Sequence, residues 1–290
     1  MERCIKTSCP GSCGELFQGV LNGEEFILSY GIDLRSWAIL SEGGQFPVVP
    51  RGQKVQEVLN LLPFSLFGIL WQGSQLPIGK GFSSSTTDML VSLGLAYSSA
   101  GKNLLLEDLT AMCTKIEATD SVAFGHWTVI NPLTGRVLFT TQWKPNLYVY
   151  VLEPNHTQMT SQLPRMTESP HYPQKTSALL FGDFVLACEK EDLVAIGEIA
   201  TRSSRLNNKR LPKPYLEDII QLAEKYSFLG VNIAHSGTVV GILLKEEDLL
   251  SLSAFEDNML SHDLSNYYQK RYLRKIIFEG VQIEVEECNE

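Results

Sequence analysis

Apolar residues recur at helical spacing between Ser84 and Ser99, where Met89, Leu90, Leu93, Ala96 and Tyr97 share a face. Gly101 follows as a stop, so the pattern predicts a helix there. A second helix is predicted over Glu107–Glu117, with Leu109, Met112, Cys113 and Ile116 as its apolar face. Before them the chain reads differently. Cys4–Cys9, Leu16–Leu21, Glu25–Leu34 and Ser36–Ser41 are short β-prone runs. Gly11, Gly14, Gly19 and Asn22-Gly23 punctuate them, and an Asn-Gly between two such runs signals a hairpin. Residues 54–62 are weakly helical, and a Gly/Ser-rich loop is predicted from Gly73 to Ser85.

The second half begins with a buried-strand run, Asn146–Leu152, after loop and strands over 120–140 with a turn at Asn131–Gly135. A polar stretch bearing Pro154, Pro164, Pro170 and Pro173 then predicts a loop near a domain boundary. Helices are predicted over 174–189, 191–204 and 214–226. Two apolar strands, Phe228–Ala234 and Thr238–Leu244, flank His235-Ser236-Gly237. Helices near 246–257 and 264–272 and a strand near 275–285 complete an α+β pattern without internal repeats.

Composition narrows the classes. The 290 residues are 44% hydrophobic and 20% charged, enough for a sizeable core and unlike a disordered chain. The net charge of −9 argues against nucleic acid, which asks for a basic stripe. No apolar run approaches the ~18 residues of a membrane span. No secretory pattern follows Met1, so a cytoplasmic location is expected. Cys4, Cys9 and Cys13 crowd the N-terminus without a CxxC, which reads as reduced thiols rather than a metal site. Nothing in the pattern sets an oligomeric state.

Three segments carry candidate chemistry. Pro77–Asp88 sets small residues before a helix start, where free N–H groups and the dipole favour an anion, most simply a phosphate. Lys80 adds a point charge, and the hydroxyls could bond phosphate or magnesium. No G-K-[ST] tripeptide is present, so this is not a Walker A loop. Pro10–Gly19 places three glycines between strands, and Gly230–Gly241 centres on His-Ser-Gly. Taken singly, each of these two reads as a hairpin turn.

Together and in this order, the three segments resemble the motifs of the GHMP kinase superfamily, across most of the chain. The wording at Pro10–Gly19, Gly79–Asp88, Glu117–Ser121 and Leu211–Pro214 is closer still to its L-threonine kinase branch, of cobalamin biosynthesis. The resemblance implies a two-domain fold: residues 1–145 like ribosomal protein S5 domain 2, carrying the ATP site, and residues 146–290 ferredoxin-like. It implies magnesium-dependent transfer from ATP to the hydroxyl of L-threonine, or of homoserine or another small alcohol. A catalytically inactive nucleotide- or amino-acid-binding relative is the alternative of another class.

By motif position, ATP falls to Pro77, Gly79, Lys80, Gly81, Phe82, Ser83, Ser84, Ser85 and Thr86, with Ser85 the magnesium-side hydroxyl. The family usually has Leu then Gly or Ala where Phe82 and Ser83 stand. Glu117 is the carboxylate expected to hold magnesium. Asp120 is the expected base, with Lys80 beside it among the catalytic residues. The pair is three residues apart, where the family spaces them by about eleven. Expected acceptor contacts are Glu15 for an amine, Arg202 and Arg205 for a carboxylate, and His235, Ser236 and Gly237.

Overall fold

The computed structural model describes residues 2–41, 52–103, 105–157 and 165–288. The short runs expected at the N-terminus are two long strands, β1 (Glu2–Leu21) and β2 (Glu24–Ser41). They form an antiparallel hairpin through Asn22-Gly23, both residues at positive φ (53° and 81°). The register shifts between Pro10 and Phe17, so the glycine-bearing segment bows out of the ladder. That bow is where the first motif meets the second.

All strand pairings are antiparallel. The order is β10 (Gln282–Cys288), β1, β7 (Gly230–Ile233), β8 (Val240–Leu244), β6 (Tyr148–Glu153), β9 (Lys270–Ile277), β2, β4 (Thr128–Ile130), β5 (Val137–Thr140). An edge strand, β3 (Ile69–Ser74), pairs with β2. It was not expected: half of its residues are exposed, and without a buried face the sequence carries no alternation there.

The helices are α1 (Gln53–Leu59), α2 (Ser84–Ser99), α3 (Leu106–Thr114), α4 (Gln174–Lys190), α5 (Leu193–Arg210), α6 (Leu216–Lys225), α7 (Leu252–Leu260) and α8 (Leu264–Tyr267). Helix α2 is buried through most of its length, from Thr86 to Ala96. Met89, Leu90 and Leu93 join Ile5, Cys9, Ala38 and Leu40 in one core cluster. Burial of this kind, at ~1.5–3 kcal/mol per large apolar side chain, holds the helix start firmly against β1 and β2.

Two expectations fail at the C-terminus. The helix expected over 264–272 stops at Tyr267, and the single strand near 275–285 is two strands, β9 and β10, with Gly280 at φ 63° between them. The run Lys270–Ile277 carries four cations and little local signal. Its strand character comes from pairing with β6 and β2, which lie far away in sequence. Part of the proline-bearing loop, 158–164, lies outside the described residues. The described remainder is loop with one 3₁₀ turn at Met166–Glu168. That turn is tied down by Glu25, fully buried in β2, which pairs with Arg165 and accepts from Met166 N at 2.7 Å.

Candidate active site

The three sequence motifs meet at one point. Gly14 N donates to Gly81 O at 3.0 Å, and Ser12 N donates to Phe82 O at 3.2 Å. From the other side, Thr238 N and Val239 N both donate to Lys80 O, at 2.8 and 2.9 Å. Gly81 sits at φ 98°, and a Cβ on Gly237 would collide with Lys80 O and the Gly81 backbone. Glycine is needed at both positions because one backbone passes directly over another. The loop is thus clamped from both sides, just before the N-terminus of α2.

Ser83, at φ 58°, caps α2 without a side-chain bond to its backbone. Its hydroxyl instead bonds Ser12 Oγ at 2.5 Å. The first N–H groups of α2 therefore face the loop, with the positive end of a 16-residue helix behind them. Of the expected phosphate-side residues, Gly79, Gly81, Ser83, Ser84, Ser85 and Thr86 line this turn. Phe82 is buried in the core, and Pro77 leads into the loop.

Lys80 does not serve this cradle. Its side chain is buried, its Nζ donates to the Pro154 carbonyl, and Glu153 lies 3.8 Å away. It pins the loop to the end of β6, so it is corrected from a catalytic or phosphate-binding cation to a structural one. Its backbone carbonyl, not its ammonium, is what the third motif grips.

The first turn of α2 reaches two carboxylates. Ser85 Oγ donates to Glu117, which also pairs with Lys54. Thr86 Oγ1 donates to Asp120 Oδ2 at 3.2 Å. The three-residue spacing works because Glu117 and Asp120 lie on irregular chain past the end of α3, free to aim at successive hydroxyls. Ser121 fixes that segment: its Oγ accepts from Ser29 N at 2.9 Å and donates to Ser29 O at 3.1 Å. Among the described residues no cluster of three or more His, Cys, Asp or Glu surrounds a single point. A cation here would take one carboxylate, one hydroxyl and phosphate oxygens, a donor set that suits magnesium.

Burial raises the Asp120 carboxyl above the usual carboxylate range, and the Glu117 charge adds to this; hydrogen bonds from Ser83 and Glu15 oppose it. Glu15, in the bow of β1, is pushed further up by burial and by the Asp120 charge. The two carboxyls lie close enough for the Asp120 charge to act on Glu15, and burial pushes both up.

Beyond Glu15 lies a polar network. Glu15 accepts from His235 N. His235 Nδ1 meets Gln18 Oε1 at 2.5 Å, Gln18 Nε2 donates to Tyr172 Oη at 2.8 Å, and Tyr172 donates to Asn207 Oδ1 at 2.8 Å. The amide orientation makes Nδ1 the protonated nitrogen of a neutral ring. Burial first, then Arg210, Arg165 and Lys213, holds His235 well below its ordinary value. Arg210 donates to His235 O at 2.8 Å.

Arg202 and Arg205 are not in this network. They sit on the exposed face of α5, paired with Asp183 and Glu217. Their partners hold both outward, whereas Asn207 and Arg210 reach His235 O, so the expectation of a carboxylate contact is corrected. Arg210 and Lys213 are the nearby cations, and no role was expected of either. The signal for Lys213 was its place in Leu211-Pro-Lys-Pro214; Gln18 lay inside the first motif.

Comparison with known proteins points to a kinase family. Residues 184–253 match the family described as GHMP kinases, C terminal. The chain is 27% identical over 287 residues to the L-threonine kinase of Salmonella typhimurium, covering 95% of this chain and 94% of that one. It is 26% identical over 291 residues to the L-threonine kinase of Citrobacter freundii, covering 95% and 98%. The structure of homoserine kinase from Cytophaga hutchinsonii superposes with a TM-score of 0.68 at 14% identity, covering 97% of each chain.

Proposed function

We propose that this chain, an ATP-dependent small-alcohol kinase of the GHMP type, transfers the γ-phosphoryl of ATP to the side-chain hydroxyl of L-threonine, giving O-phospho-L-threonine. The observation that carries the reading is the first turn of α2, where Ser85 touches Glu117 and the next residue, Thr86, touches Asp120. A metal-type donor pair and a half-buried carboxyl stand one residue apart at a helix N-terminus. Phosphoryl transfer asks for little else than this: phosphates held by N–H groups and a dipole, and an acceptor oxygen in line beside a base.

Residues 1–145 supply the nucleotide half and 146–290 most of the acceptor half. The phosphates lie on Gly79, Gly81, Ser83, Ser84, Ser85 and Thr86. Ser85 and Glu117 would hold magnesium, which neutralises charge on the phosphates when bound. Lys54, which pairs with Glu117 in the free protein, would give way to it. Asp120 accepts the hydroxyl proton. Its anion is kept in place by Thr86 and by Ser29 Oγ at 3.4 Å. Glu15, His235 and the backbone at Ser236-Gly237 form the acceptor wall. The resemblance to L-threonine kinases over nearly the whole chain supports threonine over other alcohols.

The test is a coupled ADP-release assay with magnesium-ATP and a panel of L-threonine, L-homoserine, L-serine and mevalonate. L-threonine should give the highest kcat/KM. A clear preference for homoserine would replace the acceptor. ATP binding with no acceptor-dependent ADP release would favour an inactive binding relative.

A further inference from the structure

Lys213 is 5% exposed, and its Nζ has no hydrogen-bond partner. The chain holds it there firmly. Its backbone N–H donates to Asn208 Oδ1 at 2.6 Å. The Pro214 carbonyl accepts from Tyr268 Oη at 2.9 Å, and Tyr215 just beyond takes φ 61°. Prolines on both sides restrict the backbone further. A lysine fixed this way cannot carry its charge out to water as a surface lysine does. A buried ammonium without a partner is unfavourable, and the missing partner is an anion.

The chain itself does not offer that anion. The titratable groups that sense Lys213 are Glu15 on β1, Arg210 at the end of α5, His156 after β6 and His235 after β7. Glu15 is the single carboxyl among these four, and it is engaged by the His235 N–H, which donates to it. These groups are linked pair by pair: Ser85 donates to Glu117, Thr86 donates to Asp120, the Asp120 charge acts on Glu15, and Glu15 acts on Lys213. Lys213 is thus joined to Asp120 through Glu15.

We propose that Lys213 binds the carboxylate of an α-amino-acid acceptor, with Glu15 facing the α-ammonium and Asp120 the hydroxyl. This rests on the kinase reading above and specifies the acceptor class for it. In a β-hydroxy amino acid the carboxylate and the hydroxyl-bearing carbon both attach to the carbon that carries the ammonium. The carboxyl at Asp120, the carboxyl at Glu15 and the cation at Lys213 follow the same sequence of charges. The second cation, Arg210, lies against His235 O and adds positive potential at the same end. A neutral acceptor such as a simple alcohol would leave Lys213 unpaired, so the site selects for a carboxylate.

The test compares L-threonine with 1-aminopropan-2-ol, the same amino alcohol without its carboxylate, at saturating ATP in the full-length protein, Lys213→Met and Lys213→Arg. Lys213→Met should raise the KM for L-threonine about tenfold or more, the scale of one charge-assisted contact. It should leave the KM for ATP and for 1-aminopropan-2-ol within about twofold. Lys213→Arg, which keeps the charge, should recover part of the loss. An unchanged L-threonine KM overturns the proposal, as does an equal loss with both acceptors. A rise confined to the ATP KM overturns it too, and assigns the ammonium to phosphate. If the parent protein releases no ADP with any hydroxy amino acid, the kinase reading fails by itself. Calorimetric titration with L-threonine then decides the Lys213 proposal: binding to the parent that Lys213→Met abolishes supports it, and no binding to the parent overturns it.

Discussion

Replacing Lys213 by methionine should stabilise the ligand-free protein, and more so in acid than in alkali. Methionine keeps the unbranched apolar stem and removes the buried charge. Burial lowers the Lys213 ammonium from 10.5 to about 7, with Glu15 opposing and Arg210 assisting. At about 1.36 kcal/mol per pH unit between the two values, the charged form costs the folded state about 5 kcal/mol below pH 7. Between about 7 and 10.5 the unfolded chain holds a proton that the folded chain does not, so the parent gains stability as pH rises through that window. The penalty falls to about 1 kcal/mol near pH 9.5. The net shift already contains the attraction to Glu15, so the stabilisation is about 3–5 kcal/mol near pH 6. For 290 residues the unfolding entropy is about 0.6 kcal/mol/K, so Tm should rise by about 5–8 °C. Thermal melts of parent and variant near pH 6, 8 and 9.5, without ligand, read this directly. A variant less stable than the parent near pH 6, or a gap that does not close toward pH 9.5, would refute the reasoning.

Asp120→Asn should keep ATP affinity, because the amide can still bond Thr86 and Ser29, while kcat falls by about a hundredfold or more; near-parent kcat would remove its role as base. Ser85→Ala should lose about 1–3 kcal/mol of transition-state stabilisation, and Glu117→Gln should raise the magnesium requirement. Both are read from kcat/KM over a magnesium series, and an unchanged series would separate this pair from the metal. Gly237→Ala should weaken ATP binding and lower Tm together, because its Cβ would push on Lys80 O and the phosphate loop. A variant with parent-like nucleotide affinity would show that the loop tolerates the displacement.

The errors in the site share a cause. Lys80, Arg202 and Arg205 attracted functional roles through charge and nearness to a motif, and all three are satisfied by acidic or carbonyl partners elsewhere: Pro154 and Glu153, Asp183, and Glu217. A cation's partner is set by where its side chain points. That direction depends on helix phase and on strands brought in from far along the chain.

Local features of this protein were legible from the sequence alone. Helix α2 stops just before Gly101, the β1–β2 turn sits at Asn22-Gly23, and the glycines of the three motifs mark close backbone passages, because hydrophobic period and turn chemistry are short-range signals. Glu117 and Asp120 were also legible as a pair, and their contacts with consecutive hydroxyls of α2 required the fold. Only the tertiary structure decided that β9 is a strand, since its partners β6 and β2 lie more than a hundred residues away. It likewise decided that Glu15 lies within electrostatic reach of both Asp120 and Lys213. Those three residues come from β1, the stretch after α3 and the turn after α5, and nothing local in the sequence records that burial brings them together.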